Sequence, residues 1–253
     1  MTRNGGVCPI KYLDMLAKLG IGNAHPGGFK ETLQQLEQFP LPAGARVLEV
    51  GCGTGRTACL LAQRGFQVTA LDIRPEMIAK GRIRAQAAGV QVAFVEGDAC
   101  MLPFAPESFD VVLVESVTNF TEAERAAAEY FRVLAPGGQL YDREVLLQLE
   151  PPEEAYRELV SYYDVRQLLG VTAWERVWSA AGFASIAFSP MRPFPQSMWE
   201  DAVEHPDPVQ LSDQNALWDP EIWQMTHQYE DLMERYGHYL GYSLMIAKKS
   251  GVL

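Results

Sequence analysis

Val47-Leu48-Glu49-Val50-Gly51-Cys52-Gly53-Thr54-Gly55-Arg56, followed by Asp72, is the stretch whose residue types and spacing best suit the capture of a small molecule. It reads as an apolar strand that turns on glycines into a helix, with a second strand ending in a carboxylate about 20 residues later. Glycines let a backbone turn sharply and a ligand approach it closely, because no Cβ is in the way. Asp72 stands where an acidic side chain accepts both hydroxyls of a ribose. The expected ligand therefore contains a nucleoside.

Spacing narrows the ligand further. A dinucleotide turn reads G-x-G-x-x-G/A; its third small residue lets helix and strand pack while the helix start faces a pyrophosphate. Here the glycines are Gly51, Gly53 and Gly55, and Arg56 occupies the place of that third small residue. No Gly-Lys-Ser/Thr follows, so a phosphate-binding loop does not fit either. Glu49 would repel a pyrophosphate but would hold an amino group, directly or through water. A ligand with a ribose and an ammonium but no phosphate fits better, and S-adenosylmethionine is such a ligand.

Residues 47–140 resemble class I S-adenosylmethionine-dependent methyltransferases, in the small-molecule group that includes ubiquinone and menaquinone biosynthesis enzymes. The resemblance rests on the glycine segment, on Val68-Thr69-Ala70-Leu71-Asp72, on Glu96-Gly97-Asp98-Ala99, and on Phe109-Asp110-Val111-Val112-Leu113-Val114. Arg132-Val133-Leu134-Ala135-Pro136-Gly137-Gly138 matches the family's turn into its fifth strand. The resemblance implies an α/β fold, a doubly wound seven-stranded, mostly parallel, Rossmann-like sheet with a helical cap. It implies methyl transfer from S-adenosylmethionine to a small-molecule acceptor. Gly51 and Gly53, in the turn that Gly55 completes, would approach the methionine part, and Asp72 would take the ribose hydroxyls. Ile73 would lie against the adenine, Asp98 would accept from its amino group, and the Ala99 N–H would donate to its ring. The backbone at Glu115 would face the methionine ammonium. Read alone, Gly97-Asp98 also suits a plain turn.

Methyl transfer from a sulfonium is an in-line displacement on an activated donor, so holding acceptor and methyl aligned supplies much of the acceleration. A base is needed only where the acceptor must lose a proton. His25, in the loop His25-Pro26-Gly27-Gly28, and Glu115 are the candidate catalytic groups, and Thr118 and Asn119 the candidate acceptor contacts. His227 reads as a surface or packing residue, and His205 and His238 carry no assigned role. Aromatics beside acidic residues at the mouth would suit a cationic amine. Two other readings stay open: an NAD-dependent oxidoreductase, opposed by Arg56, and a cofactor-binding protein that has lost the chemistry.

Bulk properties exclude several classes. A chain of 253 residues with net charge −11 lacks the clustered bases that a nucleic-acid backbone requires. The four cysteines, Cys8, Cys52, Cys59 and Cys100, and the four histidines share no metal-ligand spacing. No apolar run approaches the roughly 18 residues of a membrane span, and the first residues lack the pattern of a signal peptide. A cytoplasmic protein without metal, membrane or nucleic-acid partner is expected; its oligomeric state is not legible.

The elements that must position these residues alternate strand and helix. Residues 1–40 read as an N-terminal helical lid segment, with a helix at 29–39, and 41–150 as the cofactor-binding core. Residues 151–253 complete the sheet and carry cap insertions at about 151–170 and 190–236. Strands are expected at 46–50, 66–72, 90–96, 109–115, 139–147 and 183–189, with a last one at 238–248 that the resemblance makes antiparallel. Helices follow at 57–64, from Pro75 to Gly89, and after the capping boxes Thr121-x-x-Glu124 and Thr172-x-x-Glu175, with another begun by Asp219-Pro220. The segments 156–169 and 196–233 are expected to cap the acceptor, lined by aromatics and by Met191, Met198, Met225 and Met233.

Overall fold

In the computed structural model, residues 10–195 and 200–251 are described; Cys8, Met198 and Trp199 lie outside them. Helices α1 (Tyr12–Leu19) and α2 (Gly28–Gln38) lead into β1 (Arg46–Val50), α3 (Arg56–Gln63), β2 (Gln67–Asp72), α4 (Pro75–Ala88) and β3 (Ala93–Glu96). The chain continues through β4 (Phe109–Glu115), α5 (Ala123–Val133), β5 (Leu134–Leu147), α6 (Glu153–Tyr163), α7 (Val171–Ala181) and β6 (Ser185–Phe188). It closes with β7 (Arg192–Pro193), α8 (Glu200–Glu204), α9 (Pro220–Tyr236) and β8 (Leu240–Lys248). The sheet order is β3-β2-β1-β4-β5-β8-β6. Strands β1 to β5 pair in parallel, and β8 runs antiparallel to β5 and β6. The seven expected strands are present; β7 is an added two-residue strand on β8, too short to leave an alternating pattern.

The central strands are apolar on both faces because both are covered. Val47, Val68, Val111 and Leu113 pack beneath Leu36 of α2, Ala58 and Leu61 of α3 and Ile78 of α4. Leu48, Val50, Val112 and Val114 pack against Ala126, Ala127 and Tyr130 of α5 and the stacked Trp174 and Trp178 of α7. Beyond the strand ends, α1, α6 and α9 form a separate roof around Tyr162, Tyr163, Tyr229 and Leu232. Among the described residues, no helix is long and apolar enough to cross a membrane.

Helix ends follow local chemistry with two corrections. Pro75 opens α4, Gly89 and Gly182 close α4 and α7 with left-handed backbones, and the Asp219 side chain accepts the Glu221 N–H at 3.0 Å. Thr121 does not cap α5: its hydroxyl donates to the Thr118 carbonyl and closes a 3₁₀ turn, so Glu122 takes the cap position. Thr172 lies inside α7, behind the N-cap Gly170. β5 begins at Leu134 rather than 139, because residues 135–138 loop out opposite a register shift in β4.

A strap of residues 205–213 crosses over the N-terminal segment. Arg56 donates to Asn23 Oδ1 at 2.7 Å and to the His205 and Pro206 carbonyls at 2.9 and 3.3 Å. Arg84 grips Asp207 through two nitrogens at 2.8 and 2.5 Å, with both side chains nearly inaccessible. Gln210 and Ser212 donate to the Leu19 carbonyl. Removing one partner of a buried ion pair leaves the other charge uncompensated, at a cost of about 3 kcal/mol. Asp207→Ala is expected to lower the urea midpoint accordingly without changing the denaturant slope; an unmoved midpoint would show that the pair does not secure the strap.

Candidate active site

β1 leads to β2 on one side of the sheet and its neighbour β4 to β5 on the other. Open α/β sheets bind ligands beyond the strand ends at such a reversal. A cavity of about 600 Å³ lies there, lined by Gly51, Gly53, Asp72, Ile73, Asp98 and Ala99 among others. Gly51 has φ +68° and Val117 packs where its Cβ would stand. At Gly53, with φ +51°, a Cβ would project into open space, 3.9 Å from the Ile21 carbonyl oxygen. Gly53 therefore leaves a cradle in which a ligand can meet bare backbone. Gly55 is the N-cap of α3, packs on Phe94, and lines neither this cavity nor the next.

Asp72 is buried, and its oxygens accept the Gly53 N–H at 2.8 Å and the Arg74 N–H at 2.9 Å. Each oxygen retains a lone pair, the requirement for gripping two ribose hydroxyls. Burial raises its pKa above the ordinary carboxylate value, opposed by those two backbone bonds. Ile73, beside it, is 63% exposed, an apolar surface available to a flat base. Asp98 is exposed, lines the cavity and forms the plain turn, Oδ1 accepting the Cys100 N–H at 2.8 Å.

Glu49 and Glu115 add two carboxylates to the same wall. Glu49 is buried with Oε2 unpartnered, and burial, then the nearby Glu115 and Asp72, push its pKa well above the ordinary value. A cationic group entering the cavity would relieve that cost. The Glu115 side chain turns away, accepting from Thr57 Oγ1 at 3.0 Å and Thr32 Oγ1 at 2.6 Å. His25 Nε2 lies 3.2 Å from Thr32 Oγ1 and 3.5 Å from Glu115 Oε1. Because the Thr32 hydroxyl donates to Glu115, it accepts from His25 Nε2–H, which leaves Nδ1 buried, unprotonated and unpartnered.

A second cavity of about 620 Å³ adjoins the first, and Tyr12, Leu16, Ile21, His25, Phe120 and Val165 line both. Tyr163, Leu168, Phe194 and Tyr229 complete its apolar wall. Asn119 also lines it, donating Nδ2 to the Val145 carbonyl at 2.9 Å and keeping Oδ1 unpartnered. Thr118 lines neither cavity; it is fully buried and its hydroxyl donates to Asp142. The methionine lining is corrected: Met225 and Met233 are buried within α9 packing and Met191 lies against Gly241, none of them at a cavity wall. Among the described residues, no group of three or more His, Cys, Asp or Glu side chains could hold a metal ion.

This sheet order, with a carboxylate-lined cavity at its reversal, defines a Rossmann-like fold built to take S-adenosylmethionine. Comparison with known proteins agrees. Residues 48–142 match the family described as a methyltransferase domain. YodH of Bacillus subtilis (strain 168), an uncharacterised methyltransferase, is 30% identical over 239 residues, covering 94% of this chain and 99% of that protein. A demethylmenaquinone methyltransferase of Thermus thermophilus is 40% identical over 121 residues, 47% of this chain and 53% of that one. A Haemonchus contortus phosphoethanolamine N-methyltransferase, solved with S-adenosylhomocysteine, has the same fold. Its TM-score is 0.74 at 23% identity, over 94% of this chain and 57% of that chain. The chain belongs to the methyltransferase family, and it is an enzyme that uses S-adenosylmethionine as methyl donor.

Tyr163 and Tyr229 of the second wall fall in the segments expected to supply aromatics, whereas sequence reasoning missed Phe194 there and Thr32 and Thr57, which orient Glu115. Single hydroxyls on helices carry no pattern. Asp72→Ala is expected to weaken S-adenosylhomocysteine binding at least about tenfold by calorimetry, since the hydroxyls lose their acceptors. Unchanged affinity, or tighter binding of NAD than of S-adenosylhomocysteine by the parent protein, would contradict this site.

Proposed function

We propose that this enzyme methylates a small, neutral, largely apolar acceptor held in the second cavity, acting in the cytoplasm. The observation that carries the reading is the shared wall: one set of residues, His25 among them, faces both chambers. S-adenosylmethionine supplies the activated methyl group. The chain's own residues orient the reactants, exclude water and, where the acceptor is acidic, take a proton. Alignment alone contributes on the order of 7–11 kcal/mol in favourable cases.

Charge bookkeeping favours a neutral acceptor over a cationic amine. Glu31 is paired with Arg143 and Arg192, Glu204 with Lys30 and Asp207 with Arg84, while Asp201 accepts from the neutral amide of Asn23, so most of the acid charge at the second cavity is already matched. The partial similarity to a demethylmenaquinone methyltransferase makes a ring-bearing acceptor the first class to test. Free, buried Cys52 and Cys59 suit a reducing compartment.

Label from methyl-labelled S-adenosylmethionine should appear in the small-metabolite fraction of a cell extract and not in its protein or nucleic-acid fractions. Label confined to macromolecules, or none transferred at all, would sink the proposal. His25 supplies a second test. Burial holds its imidazole below the ordinary histidine value, with Glu115 opposing, so the base is neutral at neutral pH. Activity toward a proton-losing acceptor is expected to fall only as pH drops below that lowered value. His25→Ala should lose about 10²-fold in kcat with S-adenosylhomocysteine affinity retained; an unaltered kcat would remove His25 from the reaction.

A further inference from the structure

Asp142 and Glu144 stand two positions apart on β5 and turn to the same face of the sheet. Both are fully buried, on the face where Leu140 and Leu146 join Tyr130 and Trp174. The hydrogen-bond donors that reach them come from the turn after β4. Glu144 Oε1 accepts the Val117 N–H at 2.7 Å and the Thr118 N–H at 2.6 Å, and Asp142 Oδ2 accepts the Thr118 hydroxyl at 2.7 Å. The other two oxygens, Asp142 Oδ1 and Glu144 Oε2, have no donor.

Among the described residues, no cation pairs with either carboxyl. Arg143, between them, turns to the opposite face and donates to Glu31 and Gln35. From α5 the titratable neighbour is Tyr130, whose hydroxyl is 3.4 Å from Thr118 Oγ1; from β8, Met245 and Ser243 stand opposite in register, and from β4, Val114. Two carboxylates in apolar surroundings cannot both ionise, and one proton between the two orphan oxygens satisfies both.

We propose that Asp142 and Glu144 share a single proton and that this acid–carboxylate pair is the positioning device for the turn at residues 116–121. That turn walls both chambers: Ser116 and Phe120 line both, Val117 the cofactor side and Asn119 the acceptor side. It needs clamping, because Ser116 holds a left-handed backbone at φ +60° that a non-glycine residue adopts only when its surroundings impose it. Burial pushes both carboxyls above the ordinary range, in keeping with a retained proton. The unfolded chain surrenders that proton in the ordinary carboxylate range and the folded chain does not. The pair's contribution to stability is therefore full below that range and declines as pH rises toward the raised folded value.

Amide variants separate a shared proton from two independent anions. In Glu144→Gln the amide oxygen still accepts from Val117 and Thr118 while its NH₂ donates to Asp142, the place the proton held. Asp142→Asn works the same way from the other side. Each single variant should keep S-adenosylhomocysteine affinity within about threefold of the parent, because a donor still bridges the pair. Each should also flatten the parent's decline in thermal stability as pH rises from the ordinary carboxylate range, about pH 4, toward the raised folded value. The double variant sets two NH₂ groups against each other and should lose at least about tenfold in affinity. A double variant as tight as the singles, or a single as damaged as the double, would overturn the proposal. Should the double variant not fold, infrared difference spectra decide. The parent-minus-Glu144→Gln difference spectrum should show a protonated-carboxyl carbonyl band at neutral pH, any Glu49 band cancelling; no such difference band overturns the proposal. All these readouts use cofactor product alone, so they stand apart from the acceptor assignment.

Discussion

The hydrogen bond from the Gly53 N–H to Asp72 ties the end of β2 to the turn that leaves β1, and the cofactor chamber is the space those two strand ends enclose. Its length, 2.8 Å, and its burial make it a charge-assisted bond in a region of low dielectric, where such bonds are strongest. The same carboxylate also receives the Arg74 N–H, which fixes the entry to α4 and sets Ile73 at the mouth. Glycine at 53 is what lets the bare backbone face the cavity. One interaction thus sets the sugar-gripping group, the flat apolar shelf beside it and the cradle opposite.

Electrostatics then decide what the chamber admits. Glu49, Asp72 and Glu115 on one wall are hostile to a diphosphate and receptive to an ammonium. Arg74, Arg125 and Arg166 also line this cavity; Arg74 is paired with Asp14 and Glu76 and Arg125 with Glu122, while Arg56 and Arg84 hold the strap and Arg143 faces Glu31 and Gln35. The strap in turn lies over the segment that roofs both cavities, so the arginine that breaks the dinucleotide pattern has a structural task in closing the site. A chamber of this charge pattern is suited to aligning an activated methyl donor with its acceptor.

Much of this was legible in the residues. Continuous apolar runs at β1 and β4, Pro75 and Gly89 around α4, and the Gly51–Asp72 spacing encode strand burial, helix ends and ribose recognition by local rules. What escaped depends on long-range pairing. Thr121 and Thr172 have capping-box neighbours, yet a 3₁₀ turn and an earlier helix start took precedence. Thr118 reads as an acceptor contact from its place after β4, but the buried Asp142 draws its hydroxyl inward. Asp142 and Glu144 lie toward the carboxyl end of β5 yet line neither cavity, because the strand's alternation sends both under the turn. Methionines in the cap fill irregular packing instead of facing the acceptor, as their adaptable shape allows.

A crystal structure grown with S-adenosylhomocysteine tests the central claim most directly. The expected density places both ribose hydroxyls on the Asp72 carboxylate, the adenine beside Ile73, and the sulfur toward the aromatic-walled second chamber. Density elsewhere on the molecule, or a ribose that leaves Asp72 bonded only to Gly53 and Arg74, would contradict it.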